Sequence, residues 1–340
     1  MTLLCRVAEN MFWLNRYVER AIAVIRVLDV TAHLELDAGD LGTHTVDFWT
    51  PLLGPALEPF APGGARPEPR DVRYFLAFDV DNANSLTSSV RAARAAARQV
   101  RDSLSSEMWE QINTTFLSLT HPDAVTELED DLHGFSRRTR DGLLLVQGLA
   151  DATMAHDEAW QFLSLGMYLE RADNISRLLE RQSHLLTIEM ASEYGSETVR
   201  WLAVLRSAGS AEAYARYYSL RVDPVRVLEF LLLNESFPQA VSYSLSAAWR
   251  ALQAISHVSS IPSEAPLRAL VRLRASLEHA SVDEVLEYGL EDFLLRMHGD
   301  IAEVTDHITR AYFRFAPAGD RHHAVARAAQ IMAAQQQQQQ

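Results

Sequence analysis

Two short segments of the sequence repeat the same charged pair, a glutamate followed by an arginine. Residues 14–28 read LNRYVERAIAVIRVL and residues 165–179 read LGMYLERADNISRLL. At an offset of 151 residues they share seven identities: Leu14/Leu165, Tyr17/Tyr168, Glu19/Glu170, Arg20/Arg171, Ala21/Ala172, Arg26/Arg177 and Leu28/Leu179. A carboxylate can act as a general acid or base, and an arginine fork can hold a carboxylate or phosphate through two hydrogen bonds. The repeat indicates two helices with equivalent roles, related by an approximate twofold axis.

The helical spacing of the first segment predicts that its charges face another part of the protein. Apolar residues recur every seven positions as Leu4, Met11, Val18 and Ile25 and, three residues later, as Val7, Leu14, Ala21 and Leu28. This is the seam of a long bundle helix. Glu19 and Arg26 share a different face with Phe12, which implies a second packed neighbour. They lie about 10.5 Å apart along a helix, so each needs a partner on another element.

We therefore expect Glu19, Arg26, Glu170 and Arg177 to form a polar network between the two helices, with Arg20 and Arg171 close to it. One interpretation is a buried ion-pair network that fixes the register of the helices. The other is a polar pocket that binds an anion. In a pocket, Glu19 and Glu170 are the candidate catalytic residues. The candidate ligand-binding residues are the arginines and tyrosines of the repeat: Arg20, Arg26, Arg171, Arg177, Tyr17 and Tyr168.

A second group of polar residues lies between two predicted helices, in the segment FDVDNANSL. Asp79, Asn82, Asn84 and Ser85 are secondary candidates for a site. A calcium-binding EF-hand loop would need glycine at position 84 and glutamate at position 90, and the chain has Asn84 and Val90. Turn and helix-capping roles are the alternative to ligand binding at the start of the following helix.

The composition excludes several classes of protein. All 31 basic residues are arginine, so a P-loop and a Schiff-base mechanism are both ruled out. A net charge of −14 argues against nucleic-acid binding. Asp130-x-x-His133 does not supply the ligands of a di-iron bundle, and there is a single cysteine. We therefore predict no metal site and no cofactor. Long apolar runs and a signal peptide are absent, so a cytoplasmic protein without a membrane span is expected.

The elements that position these residues are predicted to be helices throughout. The expected fold is all-α: a single domain of long antiparallel helices, forming a helical bundle over residues 1–318. Helices are predicted at 3–36, 71–78, 84–119, 124–149, 157–188, 211–219, 224–233, 238–257, 264–279 and 281–314. A Pro/Gly-rich excursion near 37–70 interrupts them. Residues 319–340 are predicted to be a disordered, low-complexity tail with no assigned function.

Several of these segments together resemble the alpha-E family, an all-helical bacterial family with a Glu-Arg motif. The similar segments are RVAENMFWLNRYVERA, FLSLGMYLERAD, FDVDNANSLTSSVRAARAAARQVRDSLSSEMWEQIN, LRSAGSAEAYARYY and EFLLLNESFPQAV. The resemblance covers roughly residues 1–315. It also shows departures, because Cys5 stands where serine is expected, Ala83 where proline is, Asn234 where aspartate is and Gln239 where arginine is. These departures weaken a catalytic role for positions 5, 234 and 239.

The resemblance implies a role beside other proteins. The family is associated with a circularly permuted ATP-grasp ligase and a transglutaminase-like protease, which implies a part in ATP-dependent amide or peptide-bond formation. The leading hypothesis is a non-catalytic or co-catalytic partner of such a ligase, with an internal site for an anionic amino-acid or peptide group. An independent enzyme with glutamate acid/base and arginine anion clamps is one alternative, and a purely structural scaffold is another. Assembly into a homo-oligomer is compatible with the sequence, and nucleic-acid and membrane partners are not expected.

Overall fold

A computed structural model describes residues 3–40, 68–189, 194–218, 221–259 and 264–313. Within these ranges the chain forms fourteen α-helices and no strand, which confirms the all-α prediction. In chain order they are α1 (Cys5–Asp40), α2 (Pro69–Ala77), α3 (Leu86–Gln99), α4 (Ser106–Leu119), α5 (Ala124–Asp130), α6 (Leu132–Thr153), α7 (Glu158–Glu189), α8 (Tyr194–Ser207), α9 (Ala211–Tyr218), α10 (Pro224–Leu233), α11 (Val241–Val258), α12 (Ala265–Glu278), α13 (Val282–Tyr288) and α14 (Leu290–Ile308). A π-helical turn, Thr309–Phe313, follows α14.

The two longest helices, α1 and α7, pack against each other and carry the two Glu-Arg segments. They run parallel, because contacts between them advance together along both helices. The Leu3 backbone N–H donates to Glu158, Phe12 lies against Gly166, and Arg16 contacts Glu170. The expectation of antiparallel neighbours is therefore wrong for this central pair. Five described helices, α2 to α6, lie between α1 and α7, so no short connection forces them to run in opposite directions.

Other helices cover the central pair on several sides. Helix α1 also packs on α3, α6 and α8, and α7 also packs on α11 and α14. The predicted seam of α1 is buried from Met11 onward: Met11, Leu14, Val18, Ala21, Ile25 and Leu28 are at most 1% exposed. Leu4 is 69% exposed because it precedes the first helical residue. The extra layers explain why the polar faces of both helices are also enclosed.

Two of the predicted helices are each broken in two. The helix predicted over 84–119 is interrupted by a 3-10 turn at Arg101–Ser103, after which Ser105 caps α4 by accepting from the Met108 N–H (3.2 Å). The helix predicted over 124–149 stops at Asp131, whose side chain accepts from the Gly134 N–H (2.8 Å) and starts α6. Each capping side chain offers the backbone a bond that replaces helix continuation.

Two further boundaries differ from those predicted towards the C-terminal end. Ser281 and Glu284 form the predicted capping box, but α13 ends after about two turns at Gly289, whose φ of +104° no helix interior allows. Pro238 was expected in the first turn of α11, yet that helix begins at Val241. Most of the predicted 37–70 excursion and all of the 319–340 tail lie outside the described residues. No helix in the described part of the chain is long and apolar enough to cross a membrane.

Gly166 permits the close approach of α7 to α1. A Cβ atom at this position would lie 2.0 Å from the backbone oxygen of Phe12, a distance that no side-chain rotation can relieve. The position allows only glycine because the obstacle is main chain. The contact lies one turn before Glu170, so it also sets how closely α1 and α7 approach each other where the charged residues meet.

We expect Gly166→Ala to lower the free energy of unfolding by about 3 kcal/mol, because the helices must separate to accept the methyl group. The matched control is Gly148→Ala on α6, where no atom lies within 4 Å of the added Cβ. That change should leave stability unaltered or raise it by up to about 1 kcal/mol through helix propensity. Denaturant unfolding of both variants measures the difference, and equal effects would show that α1 and α7 do not meet at Gly166.

Candidate functional site

Two reciprocal ion pairs join α1 and α7. Glu19 accepts from Arg171 Nε at 2.7 Å and from Arg171 Nη2 at 3.0 Å. Glu170 accepts from Arg20 Nε at 2.7 Å. Each pair is the other's counterpart at the 151-residue offset, so the glutamate of each helix contacts the arginine of the opposite helix. The approximate twofold axis that relates the two segments is therefore parallel to α1 and α7.

The network contains two members that the sequence analysis missed. Arg16 donates to Glu170 at 2.6 Å and to Thr305 of α14 at 3.2 Å. Gln147 of α6 donates to Glu19 at 2.7 Å. In the heptad frame of the seam, Arg16 falls on the side opposite the apolar stripe, where solvent is the default. It is buried because α14 and the π-helical turn pack there, and no sequence signal shows this.

The network is enclosed, and its charges compensate one another. Glu19 and Glu170 are 3% and 1% exposed. Burial by itself would raise the pKa of Glu19, but the charge and hydrogen bonds of Arg171, with a hydrogen bond from Gln147, hold that pKa below its ordinary value. Burial likewise opposes the charge of Arg171, and Glu19 outweighs it and raises the pKa of Arg171. The carboxylate of Glu19 is thus held as an anion by Arg171, which suits positioning better than proton transfer.

Tyr17 and Tyr168 lie behind the arginines. The guanidinium of Arg20 is 5.6 Å from the ring centre of Tyr17, and that of Arg171 is 5.4 Å from the ring centre of Tyr168. These cation–π contacts repeat the twofold relation and orient the two arginines. Neither tyrosine lines the neighbouring cavity. Their predicted role in binding ligand is therefore replaced by one in positioning Arg20 and Arg171.

A cavity of about 430 Å³ opens beside the network, between α1 and α7. Helix α2, the loop before α3, the end of α8 and the segment before α11 complete its wall. Helix α2 contributes the apolar Phe75 and Leu76, and the polar lining residues come from the other elements: Glu19, Arg20, Arg26, Asn82, Asn84, Glu170, Arg171, Asp173, Asn174, Arg177, Arg181, Ser207 and Gln239. Arg26 and Arg177, predicted as members of the network, line the same cavity but bind neither glutamate. The reciprocal Glu–Arg pairs thus form part of the cavity wall beside these two arginines.

Arg26 forms no ion pair with any carboxylate of the described residues. Its Nη1 donates to the Ala208 carbonyl at 3.4 Å, and its guanidinium lies against Gly209. Gly209 has a φ of +62°, and a Cβ there would lie 2.8 Å from the Arg26 guanidinium carbon. Burial lowers the pKa of Arg26; Glu19 partly offsets this, while the charges of Arg171 and Arg140 add to it. An anion in the cavity would supply the charge that this arginine lacks.

Arg177 and a histidine missed by the sequence analysis flank Asp173 on the cavity wall. Arg177 is about half exposed and pairs with Asp173 of its own helix at 3.0 Å, not with Glu19. His298 of α14 contacts Asp173 through Nδ1 (3.2 Å) and Glu180 through Nε2 (2.9 Å). Burial raises the pKa of Asp173, but the His298 hydrogen bond and Arg177 outweigh it and lower that pKa. Asp173 therefore stays ionised and paired with Arg177, whose half-exposed side chain lies on the cavity wall.

Two of the four secondary candidates predicted in the loop before α3 lie on the cavity wall. Asn82 and Asn84 line the cavity, and Asn84 accepts from Arg20 at 3.2 Å. Asp79 accepts from the Asp81 N–H, and Ser85 caps α3 by accepting from the Ser88 N–H. Asp79 and Ser85 do not line the cavity, and the capped helix start does not offer its first donors to a ligand. The two asparagines remain as candidates for a site, because they add amide groups beside the arginines.

We expect Glu19→Gln to lower the free energy of unfolding by about 3–5 kcal/mol at neutral pH, because it leaves the buried charge of Arg171 without a counter-charge. The matched control is Glu264→Gln, which breaks an ion pair with Arg268 in which both side chains are at least 67% exposed. That change should cost less than about 1 kcal/mol. Denaturant unfolding measures both, and similar small losses would mean that the network adds nothing to stability.

The same variant tests the pH dependence. The folded pKa of Glu19 lies below its ordinary value of 4.5, so its stabilisation is present above that value and is lost as the pH falls through the folded pKa. We expect the unfolding midpoint of the unaltered protein to fall more steeply than that of Glu19→Gln between about pH 5 and about pH 3. Parallel curves would contradict a depressed pKa at this position.

Comparison with known proteins finds mycobacterial relatives and one family model. The chain is 27% identical over 330 residues to uncharacterized proteins of Mycobacterium bovis and of Mycobacterium tuberculosis CDC 1551, and 26% identical to one of M. tuberculosis H37Rv. The matches cover 89% of this chain and 36% of each relative, so it spans about a third of their length. No solved structure matches it. A family model described as a predicted alpha-helical domain with a conserved ER motif matches residues 3–313. The chain therefore belongs to the Alpha-E family.

Proposed function

We propose that this chain is a non-catalytic or co-catalytic partner of an ATP-grasp amide ligase, and that its cavity binds the carboxylate end of an amino acid or short peptide. The reciprocal Glu–Arg pairs form the rigid wall of this site. Arg26 and Arg177 bind the anion, and Asn82 and Asn84 contact its amide groups. A ligase that consumes ATP works in the cytoplasm, so the proposal also places the chain there.

The charge of the cavity supports an anionic ligand. Five arginines line it against three carboxylates, Glu19, Glu170 and Asp173. The chain as a whole carries a net charge of −14, so the cavity reverses the sign of the protein around it. A positive concavity in an acidic protein draws anions to one place. Its volume of about 430 Å³ also falls within the usual range for small-ligand sites, about 300–1,000 Å³.

Arg26 is the observation that carries the proposal. Arg26 is partly buried, and a desolvated guanidinium without an ion pair costs free energy. The other enclosed arginines at this interface, Arg16, Arg20 and Arg171, each bind a glutamate. A structural network would need Arg26 to do the same. Its position on the cavity wall instead leaves it for a ligand carboxylate.

An independent glutamate-based enzyme is less well supported. A general acid or base works best with a pKa near the operating pH, whereas arginine holds the pKa of Glu19 below its ordinary value. Glu170 is held by two arginines. The curated relatives are nearly three times as long as the region they share with this chain, so in them it occurs beside much further sequence. That arrangement favours a domain that works together with another.

Ligand binding can be tested with the dipeptide Glu-Glu and its C-terminal amide, which lacks one carboxylate. We expect Glu-Glu to bind by isothermal titration calorimetry and the amide to bind at least tenfold more weakly. Arg26→Gln and Arg177→Gln should each weaken Glu-Glu binding by about tenfold or more, which corresponds to about 1.4 kcal/mol.

The control for these variants is Arg268→Gln, which alters an exposed arginine on α12 that does not line the cavity. It should bind Glu-Glu like the unaltered protein. Unfolding curves identify any variant that fails to fold; Arg177 is about half exposed and its replacement should fold. Equal binding by all three variants would contradict the site.

The partner role needs a separate experiment. The chain is co-purified with an ATP-grasp ligase from the same organism, and the complex is then used in an amide-ligation assay. We expect a stable complex whose activity falls when Arg177→Gln replaces the unaltered chain. Failure of the two proteins to associate would overturn the partner role and leave the anion site standing. An unchanged rate with Arg177→Gln would show that the cavity does not serve the ligation.

A further inference from the structure

A second cluster of reactive side chains lies where the later part of α1 meets the start of α6. Asp29 and His33 lie one turn apart on α1, and His133 lies in the first turn of α6. One ligand atom from each of the three lies within 4.8 Å of the other two. None of these residues lines the cavity described above.

Hydrogen bonds already orient the two imidazoles. His33 Nδ1 lies 2.7 Å from the backbone oxygen of Asp29, which can only accept, so Nδ1 carries the proton and Nε2 presents a lone pair. His133 Nδ1 lies 2.9 Å from Asp29 Oδ1. The two rings meet edge to face with their centres 5.2 Å apart. For His33 this is the usual arrangement of a metal-binding histidine, in which the second ring nitrogen donates to a carbonyl or carboxylate.

Asp29 is also held on its other side. Arg140 Nη1 donates to Asp29 Oδ2 at 3.2 Å, and this leaves Oδ1 turned towards His133. Arg140 Nε also lies 3.6 Å from Asp141, so its charge is shared between two carboxylates. The side chain of Asp29 is 14% exposed and that of His133 is 58% exposed. The cluster thus combines one anchored carboxylate with an imidazole that solvent can reach.

We propose that Asp29, His33 and His133 bind a divalent transition-metal cation of the Zn²⁺ class. Two imidazole nitrogens and one carboxylate oxygen suit Zn²⁺, whereas Ca²⁺ and Mg²⁺ prefer oxygen ligands. Ligands about 2.0–2.1 Å from a tetrahedral Zn²⁺ lie about 3.3 Å apart. The observed spacing reaches that value through small side-chain rotations, and exposed His133 is free to make them.

Binding replaces the proton that His133 shares with Asp29. His133 binds as a neutral ring with its proton on Nε2: the Nδ1 proton leaves to solvent as Nε2 takes one up, and the freed Nδ1 lone pair binds the metal together with Oδ1 of Asp29 and Nε2 of His33. The fourth position faces solvent and takes water. Because α1 and α6 are joined by a long stretch of chain, the metal closes a loop of 104 residues between Asp29 and His133. The site therefore fastens the end of α1 that leads to the Pro/Gly-rich segment.

The test is titration of the full chain with Zn²⁺ by isothermal titration calorimetry, with Co²⁺ as a spectroscopic substitute. We expect one Zn²⁺ per chain, a Co²⁺ absorption band typical of four-coordinate geometry, and a higher unfolding temperature with Zn²⁺. His33→Ala and His133→Ala should each weaken binding by about tenfold or more and abolish the thermal shift.

Two controls keep the result specific. His121→Ala removes an exposed histidine that lies 3.5 Å from Asp123 but has no second imidazole in its cluster, and it should leave binding unchanged. The double change His322→Ala and His323→Ala removes the paired histidines near the C-terminus and should also have no effect. Circular dichroism checks that each variant is folded. Loss of binding in the C-terminal double variant, or full binding by folded His33→Ala and His133→Ala, would overturn the proposal.

Discussion

The buried charge between α1 and α7 is the constraint on which the rest of the structure depends. Two glutamates that are almost fully enclosed would be intolerable without counter-charges, and each receives an arginine from the opposite helix. Glu19 and Arg20 of α1 bind Arg171 and Glu170 of α7, so only one register of the parallel pair satisfies both ion pairs. Gly166 then lets the helices approach closely enough for the bonds to form.

That register produces the cavity as a consequence. Once Arg20 and Arg171 are paired with the carboxylates, the next arginines along the two helices, Arg26 and Arg177, contact neither glutamate and line the same cavity. Arg26 has no carboxylate partner among the described residues, and half-exposed Arg177 pairs with Asp173 of its own helix. Stability and binding thus use different members of one repeated motif. The same division explains why locked glutamates suit a positioning role better than proton transfer.

Much of the fold and part of the site could be predicted from the sequence. The apolar spacing of α1 located its buried seam, and the capping box at Ser281 marked a real helix start. The repeat correctly indicated that α1 and α7 exchange charges. It misassigned Arg26 and Arg177 to that exchange, because spacing along one helix does not say which neighbour covers each face. Arg16 and Gln147 could not be predicted as members of the network. Arg16 is enclosed by α14, and Gln147 lies on α6, and both helices come from distant parts of the chain.

The sequence by itself determined the helical class, the pairing of the two Glu-Arg segments and the absence of lysine, because these follow from residue type and local spacing. Only the tertiary structure decided that the central helices are parallel, that Arg20 and Arg171 are the partners of the glutamates, and that Asp29, His33 and His133 meet. The physical reason is that direction, depth and neighbours depend on how the intervening helices pack. Local periodicity locates the apolar face of a helix, but it does not show which elements pack against that face or against the others.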